Sequence, residues 1–238
     1  MVSVAYYLLA ISLSGHCRLS ISDLERIKKQ SEALECSEMA GKLTGMNDTR
    51  IVYSLSLENA EQRKLDAALG YAKHLAKMEG GSSLKRWILL ARILSGQKRF
   101  SEGETVINAA LEQTGKWDQG ELLKTKARLQ VAQGLLYEAK GLEKEAQNAY
   151  ELALDLDPTY VRSLVSMAVI IRRAGGKSAA SAKSFLTKVL RLDRLNSSAW
   201  YNLGLFYKED GPMFLREAAN CFEAASILEE TEPIETFR

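Results

Sequence analysis

Apolar residues recur at three- and four-residue intervals along nearly the whole chain, and no strict apolar/polar alternation competes with them, so the pattern predicts helices and no strands. Residues 197–228 show the pattern most clearly. Trp200, Leu203, Gly204 and Tyr207 share one helix face, and after a turn at 209–214 Ala218, Phe222 and Ala225 share another. Gly204 is expected to let the neighbouring helix approach closely. Residues 127–158 repeat the arrangement, with Gly134 and Tyr137 before a turn at Gly141, then Ala146, Tyr150, Ala153 and a closing Pro158.

This order resembles the tetratricopeptide repeat, W-x-x-L-G-x-x-Y followed by A-x-x-x-F-x-x-A and then proline. With the register fixed by these two segments, the small or apolar residue late in each second helix falls at Ala40, Leu75, Ala110, Ala153, Val189 and Ala225. The spacings are 35, 35, 43, 36 and 36 residues. The long interval coincides with GKWDQGELLKT, which reads as a longer linker or a lost segment, and the last two repeats carry longer hairpins at AGGKSAA and EDGPMF. Punctuation at GGSS (80–83), around Gly115, at 155–158, at 174–176 and before Ser197 separates the helical runs. The expected fold is an all-α, right-handed solenoid of about six tetratricopeptide-type helix pairs in one array over 1–238. The pairs are placed at 1–47, 48–82, 83–117, 118–159, 160–196 and 197–238. Stacked repeats bury a continuous core and leave a concave face that binds protein segments.

Composition agrees with this reading and narrows it. Of 238 residues, 46% are hydrophobic and only 3 are proline, as long uninterrupted helices require. The three cysteines, Cys17, Cys36 and Cys221, and the two histidines, His16 and His74, stand apart with no metal-ligand spacing, so neither a disulfide framework, a metal nor a cofactor is expected. GGSSLK and AGGKSAAS lack the pattern and the preceding strand of a phosphate loop, and no nucleophile–base set is recognisable. An enzyme is not expected. The apolar start, MVSVAYYLLAISLSGHC, lacks a basic leader and falls well short of the roughly 20 residues of a membrane span, so it reads as a core helix. A cytoplasmic protein follows, with peripheral attachment to the plasma membrane as a further expectation. The uncapped ends of the array predict a longer array or a partner that covers an end.

The net charge of +2 speaks against nucleic acid but conceals two opposed blocks. Between 161 and 194 eight basic residues face one acid, and between 209 and 238 eight acids face two arginines. A basic face of this kind suits acidic or amphipathic protein segments. Two basic amphipathic stretches are candidates for calmodulin, whose acidic lobes accept helices with spaced bulky anchors. The first, 83–100, carries Lys85, Arg86, Arg92, Lys98 and Arg99, with Trp87, Leu94 and Phe100 at 1-8-14 spacing. The second, 181–195, has Phe185 and Leu192 as anchors, flanked by Lys183, Lys188, Arg191 and Arg194. In both, the same bulky residues also suit packing within the repeat, and of the two the sequence slightly favours the first. The concave face is expected to present Lys85, Ile88 and Arg92; Arg128, Val131 and Leu135; Arg162, Val165, Val169 and Arg172; and Tyr201, Leu205 and Lys208. The carboxylate clamp of co-chaperone repeats is not evident, Asn202 being a lone partial match.

Several stretches, YYLLAISLSGH, QSEALE, LSLENAEQRKLDAALGYAK, LLARILSGQKRFSEGE, ALEQTGKWDQGELLKTKARLQ, ALDLDPTYVRSL, RLDRLNSSAWYNLG and LEETEPIETFR, are similar to the No Pollen Germination related proteins of plants. Members of that group are longer, with further repeats ahead of the part present here, so the chain resembles a C-terminal portion or a shortened form. The resemblance implies an adaptor with calcium-dependent calmodulin binding and a role in pollen germination. It also implies similarity to the scaffold subunit of plasma-membrane phosphatidylinositol 4-kinase complexes, which gives the alternative of a structural scaffold.

Overall fold

The computed structural model describes residues 2–20, 22–79, 84–113, 119–174 and 179–231. The punctuation expected at 80–83, around Gly115 and at 175–176 lies outside them, as do Lys177 and the segment 232–238. The described residues form twelve α-helices: α1 Val2–Leu19, α2 Asp23–Leu43, α3 Thr49–Glu61, α4 Leu65–Glu79, α5 Leu84–Gly96, α6 Phe100–Gln113, α7 Gln119–Lys140, α8 Glu143–Leu156, α9 Val161–Ala174, α10 Ala179–Leu192, α11 Ser197–Glu209 and α12 Leu215–Thr231. No strand occurs among them. Among the described residues, no helix is long and apolar enough to cross a membrane. The chain divides into two compact units, residues 1–113 and 114–232.

Within each unit, consecutive helices pack as antiparallel pairs and each pair stacks on the next. The six register residues, Ala40, Leu75, Ala110, Ala153, Val189 and Ala225, are all 5% exposed or less. Their recurrence in sequence therefore marks the buried seam of each second helix. Helix starts are set by short polar side chains: Asp48 Oδ1 accepts the Arg50 N–H at 2.9 Å, and Asn196 Oδ1 accepts the Ala199 N–H at 2.9 Å.

The α3–α4, α5–α6 and α7–α8 hairpins turn through a left-handed residue, which reverses the chain and lets the next N–H bond back across the helix end. Gly141 fills this position in the second unit at φ 78, and the Leu142 N–H donates to the Tyr137 carbonyl at 2.9 Å. In the first unit the same job falls to Arg63 (φ 60) and Lys98 (φ 61). The longer α11–α12 hairpin contains Gly211 at φ 111 and one 3-10 turn, Pro212–Phe214, whose Phe214 ring stacks on Tyr207.

Glycine does what the pattern required of it at two places. A Cβ on Gly134 would stand 2.4 Å from the ring of Tyr150, which is fully buried, and one on Gly204 would stand 2.7 Å from the ring of Phe222. The first and second helices of these pairs thus meet at an aromatic ring laid on bare backbone.

One expectation needs revising. α1 is a helix, but it is not enclosed by the core. Ala10, Ser14 and Cys17 point inward, whereas Val4, Leu8, Leu9 and Ile11 are 46–58% exposed.

Candidate protein-docking site

The first basic stretch lies in the first unit, and its geometry serves packing. Leu89, Leu90, Ile93 and Leu94 of α5 are buried against Ala68, Leu69 and Ala72 of α4. Leu94 is 2% exposed. The stretch is also not one helix: α5 ends at Gly96, Lys98 turns left-handed, the Arg99 N–H donates to the Leu94 carbonyl at 2.9 Å, and Phe100 opens α6. Trp87, Leu94 and Phe100 therefore do not share a helix face, which corrects the 1-8-14 reading for the folded chain. Trp87, Ile88 and Phe100 are half-buried, as are Arg86 and Arg92, which lie near the half-buried Tyr53. Arg99 is held by Glu102 in a two-pronged pair at 2.6 and 2.7 Å. Lys85 and Lys98 are exposed.

The second stretch, in the second unit, is arranged differently. Phe185 is partly buried against the cores formed around Leu186 and around Tyr150. The last turn of α10 then runs out into solvent, with Lys188, Arg191 and Arg194 exposed, Leu192 48% exposed and Leu195 67% exposed. Lys188 Nζ donates to the Pro158 carbonyl at 2.7 Å. Arg191 and Arg194 have no ion-pair partner among the described residues. The one acid of this stretch, Asp193, is exposed but engaged with its own loop: its Oδ1 accepts the Leu195 N–H and its Oδ2 accepts from the Asn196 side-chain amide at 3.2 Å. Trp200, the tryptophan of the repeat motif, pins the loop by donating its indole N–H to the Arg194 carbonyl at 3.0 Å. The result is a fixed loop presenting two guanidinium groups beside two leucines. Leu195 and the pinning by Trp200 are invisible to a periodicity argument, although the paired spacing in RLDRL hints at a double apolar tip.

The first-helix face of the second unit is partly consumed by its own ion pairs. Arg173 of α9 reaches Glu138 of α7 at 3.2 Å, and Arg172 of α9 reaches Glu209 of α11 at 3.2 Å. Lys183 of α10 pairs with Asp210 beyond the end of α11. Three of the eight basic residues between 161 and 194 are thereby neutralised, two of them by acids of the opposed block. Val131 is 2% exposed and belongs to the core around Tyr150, so it is not a groove residue. Its side chain follows the buried face that also carries Ala127. Leu135, Val165, Val169, Leu205 and Arg162 are half-buried, while Arg128, Lys208 and Tyr201 are exposed. Tyr201 also leans on Phe222, with ring centroids 5.7 Å apart. Asn202 is buried and donates to the Ser198 carbonyl at 2.8 Å, so it faces its own helix.

A second titratable cluster, unanticipated from sequence, lies inside the first unit. Glu58 of α3 is 2% exposed and its Oε2 has no hydrogen-bond partner. Burial pushes its carboxyl up to about 7, with Glu61 adding to the rise and the Ser14 hydroxyl and Arg18 opposing it. Arg18 of α1 instead pairs with Glu61 at 3.0 Å.

A sequence profile of the tetratricopeptide repeat matches residues 127–160, the α7–α8 pair in which Tyr150 lies on Gly134. Protein NPGR2 of Arabidopsis thaliana is 37% identical over 98% of this chain and 43% of its own length. Protein NPG1 of the same plant is 30% identical over 98% of this chain and 45% of its own length. Residues 127–160 thus carry a tetratricopeptide repeat, and the chain as a whole is similar to the No Pollen Germination related proteins. It spans less than half the length of these relatives. The crystal structure of yeast Tom70 superposes on 95% of this chain and 51% of that one with a TM-score of 0.69 at 17% identity, a likeness of fold. Stacked helix pairs of this kind are suited to protein interaction.

Proposed function

We propose that this tetratricopeptide-repeat chain is a non-enzymatic adaptor that docks acidic, amphipathic protein segments, with calcium-loaded calmodulin as the partner, in a pathway serving pollen germination. The observation that carries the reading is the end of α10: Arg191 and Arg194 exposed without ion-pair partners, beside exposed Leu192 and Leu195, on a loop held by Trp200. Such a surface offers apolar contact and positive charge together, and needs no unfolding to be reached. The similarity to the No Pollen Germination related proteins supports calmodulin as the partner. Docking through α5 is disfavoured on energetic grounds, because presenting Leu94 would cost about 1.5–3 kcal/mol for that side chain alone.

Retention of the full chain on immobilised calmodulin in calcium, and its release by a chelator, tests this reading. Retention unchanged by the chelator, or none at all, would overturn it and leave the structural scaffold of a membrane lipid-kinase complex as the better account.

A further inference from the structure

Where α1 stacks on α3 in the first unit, the seam is closed by polar groups. Arg18 Nη2 donates to Ser14 Oγ at 3.2 Å and to Glu61 Oε1 at 3.0 Å, and the Ser14 hydroxyl bonds onward to the Glu58 carboxyl, so four side chains link the two helices in series. Ser14 and Cys17 of α1 are buried, and the Cys17 thiol, which donates to the Arg26 carbonyl of α2 at 3.5 Å, lies in the field of the same charges. The network is incomplete: Oε2 of Glu58, Nε of Arg18 and Nε of Arg26 are buried without hydrogen-bond partners. Such a network becomes costly as soon as an unpaired member carries charge. The charges acting on Glu58 are Glu61, one turn along its own helix, and Arg18, already committed to Glu61. Arg26 of α2 pairs with Asp23 at 2.9 Å, α4 meets α3 with Ala68, Leu69 and Ala72, and Arg86 and Arg92 of α5 act on Tyr53.

The two sides of the seam are attached unequally. α1 packs far more extensively on α2 than on α3, and the pair is joined to α3 mainly through α2, where Gln62 Nε2 donates to the Gln30 carbonyl at 2.9 Å and Leu34 and Ala40 pack with Ile51 and Leu55. We infer that the Glu61–Arg18–Ser14–Glu58 series is a proton-controlled latch: with Glu58 protonated α1 closes on α3, and ionisation of Glu58 releases that side of the seam while the α2 side holds. Burial pushes the Glu58 carboxyl up to about 7, so the latch is half-set near neutral pH. In the opened seam the carboxyl reaches water and returns towards its ordinary 4.5. The open form then binds fewer protons than the closed one, so opening is favoured as the pH rises from about 4.5 and levels off above about 7. Because the rotation between successive pairs sets the curvature of stacked repeats, the latch adjusts the first-helix face where α1 meets α3.

Alkylation of the full chain by iodoacetamide, read cysteine by cysteine by peptide mass spectrometry, tests the inference. Cys17 is buried at the latch and Cys221 is buried in the second unit, so the ratio of their rates cancels the effect of pH on thiol reactivity. The expected result is a ratio of Cys17 to Cys221 labelling that rises about tenfold between pH 6 and pH 8, while the amide-exchange protection of α5 stays constant. Glu58→Gln is expected to abolish the rise. A ratio that does not change with pH in the natural chain would overturn the inference, as would an equal rise in Glu58→Gln. A rise accompanied by lost protection in α5 would also overturn it, because the first unit would then be opening as a whole.

Discussion

In the second unit a buried tyrosine lies on Gly134 and a phenylalanine on Gly204, and the hairpin of its first pair turns through Gly141. In the first unit the corresponding interior holds Ser14, Ser37, Ser54, Ser56, Glu58 and Asn59, and its α3–α4 and α5–α6 hairpins turn through Arg63 and Lys98. Some of these polar groups are satisfied locally: Ser56 donates to the Ala68 carbonyl at 2.9 Å and Asn59 to the Leu55 carbonyl at 2.7 Å. Glu58 is not. Both units have apolar cores, but the second closes its pairs with aromatic rings on bare glycine while the first buries more polar groups, a carboxyl among them, so the two should fail under different insults. The contrast extends to the basic stretches. α5 is enclosed in the first unit, while α10 in the second ends in solvent.

The largest effect should come from exchanging these two environments. Leu94→Ala is expected to lose about 3 kcal/mol in urea denaturation, since it opens a cavity beside α4, whereas Leu192→Ala should stay within about 0.5 kcal/mol. Equal losses would mean that α5 is not enclosed as described.

Next in size is the pH response of the first unit. A carboxyl whose pKa is higher folded than unfolded holds more protons in the folded state. The contribution of Glu58 is therefore most favourable below its ordinary value of 4.5, declines as the pH rises, and is least favourable above about 7. Glu58→Gln should remove this decline and stabilise the chain at pH 8 by about 2 kcal/mol, read from denaturation series at pH 5 and pH 8. A decline that persists in the variant would place its source elsewhere.

Gly134→Ala should cost the second unit about 1–2 kcal/mol, because overpacking against the immobile Tyr150 ring exceeds the roughly 1 kcal/mol that alanine gains as a helix former. The smallest effect has the opposite sign. Lys98→Gly should stabilise the first unit by up to about 1 kcal/mol, measured by thermal melting, because glycine adopts the left-handed turn without a Cβ conflict.

The same contrast explains what could be read from sequence. Gly134, Gly204, Gly141 and the register residues carry local signals: a missing side chain, a repeat spacing, a turn former. The helix break before Phe100 carries a misleading one, because Gly96 sits two residues ahead of Lys98, which takes the left-handed conformation. Charge was legible only in aggregate. Arg172 and Glu209 are 37 residues apart and Lys183 and Asp210 are 27 apart, so their pairing depends on how the helices stack. The exposure of α1 was hidden for a simpler reason: an uncharged apolar helix has the sequence of a core element whether or not anything covers it.

Calorimetric titration of calcium-loaded calmodulin into the full chain tests the account most directly, using two paired charge reversals, Arg191→Glu with Arg194→Glu at the end of α10 and Lys85→Glu with Lys98→Glu around α5. The account predicts binding to the natural chain and to the α5 pair, and binding weaker by about tenfold, or some 1.4 kcal/mol, in the α10 pair. Binding abolished by the α5 pair and retained by the α10 pair would contradict it.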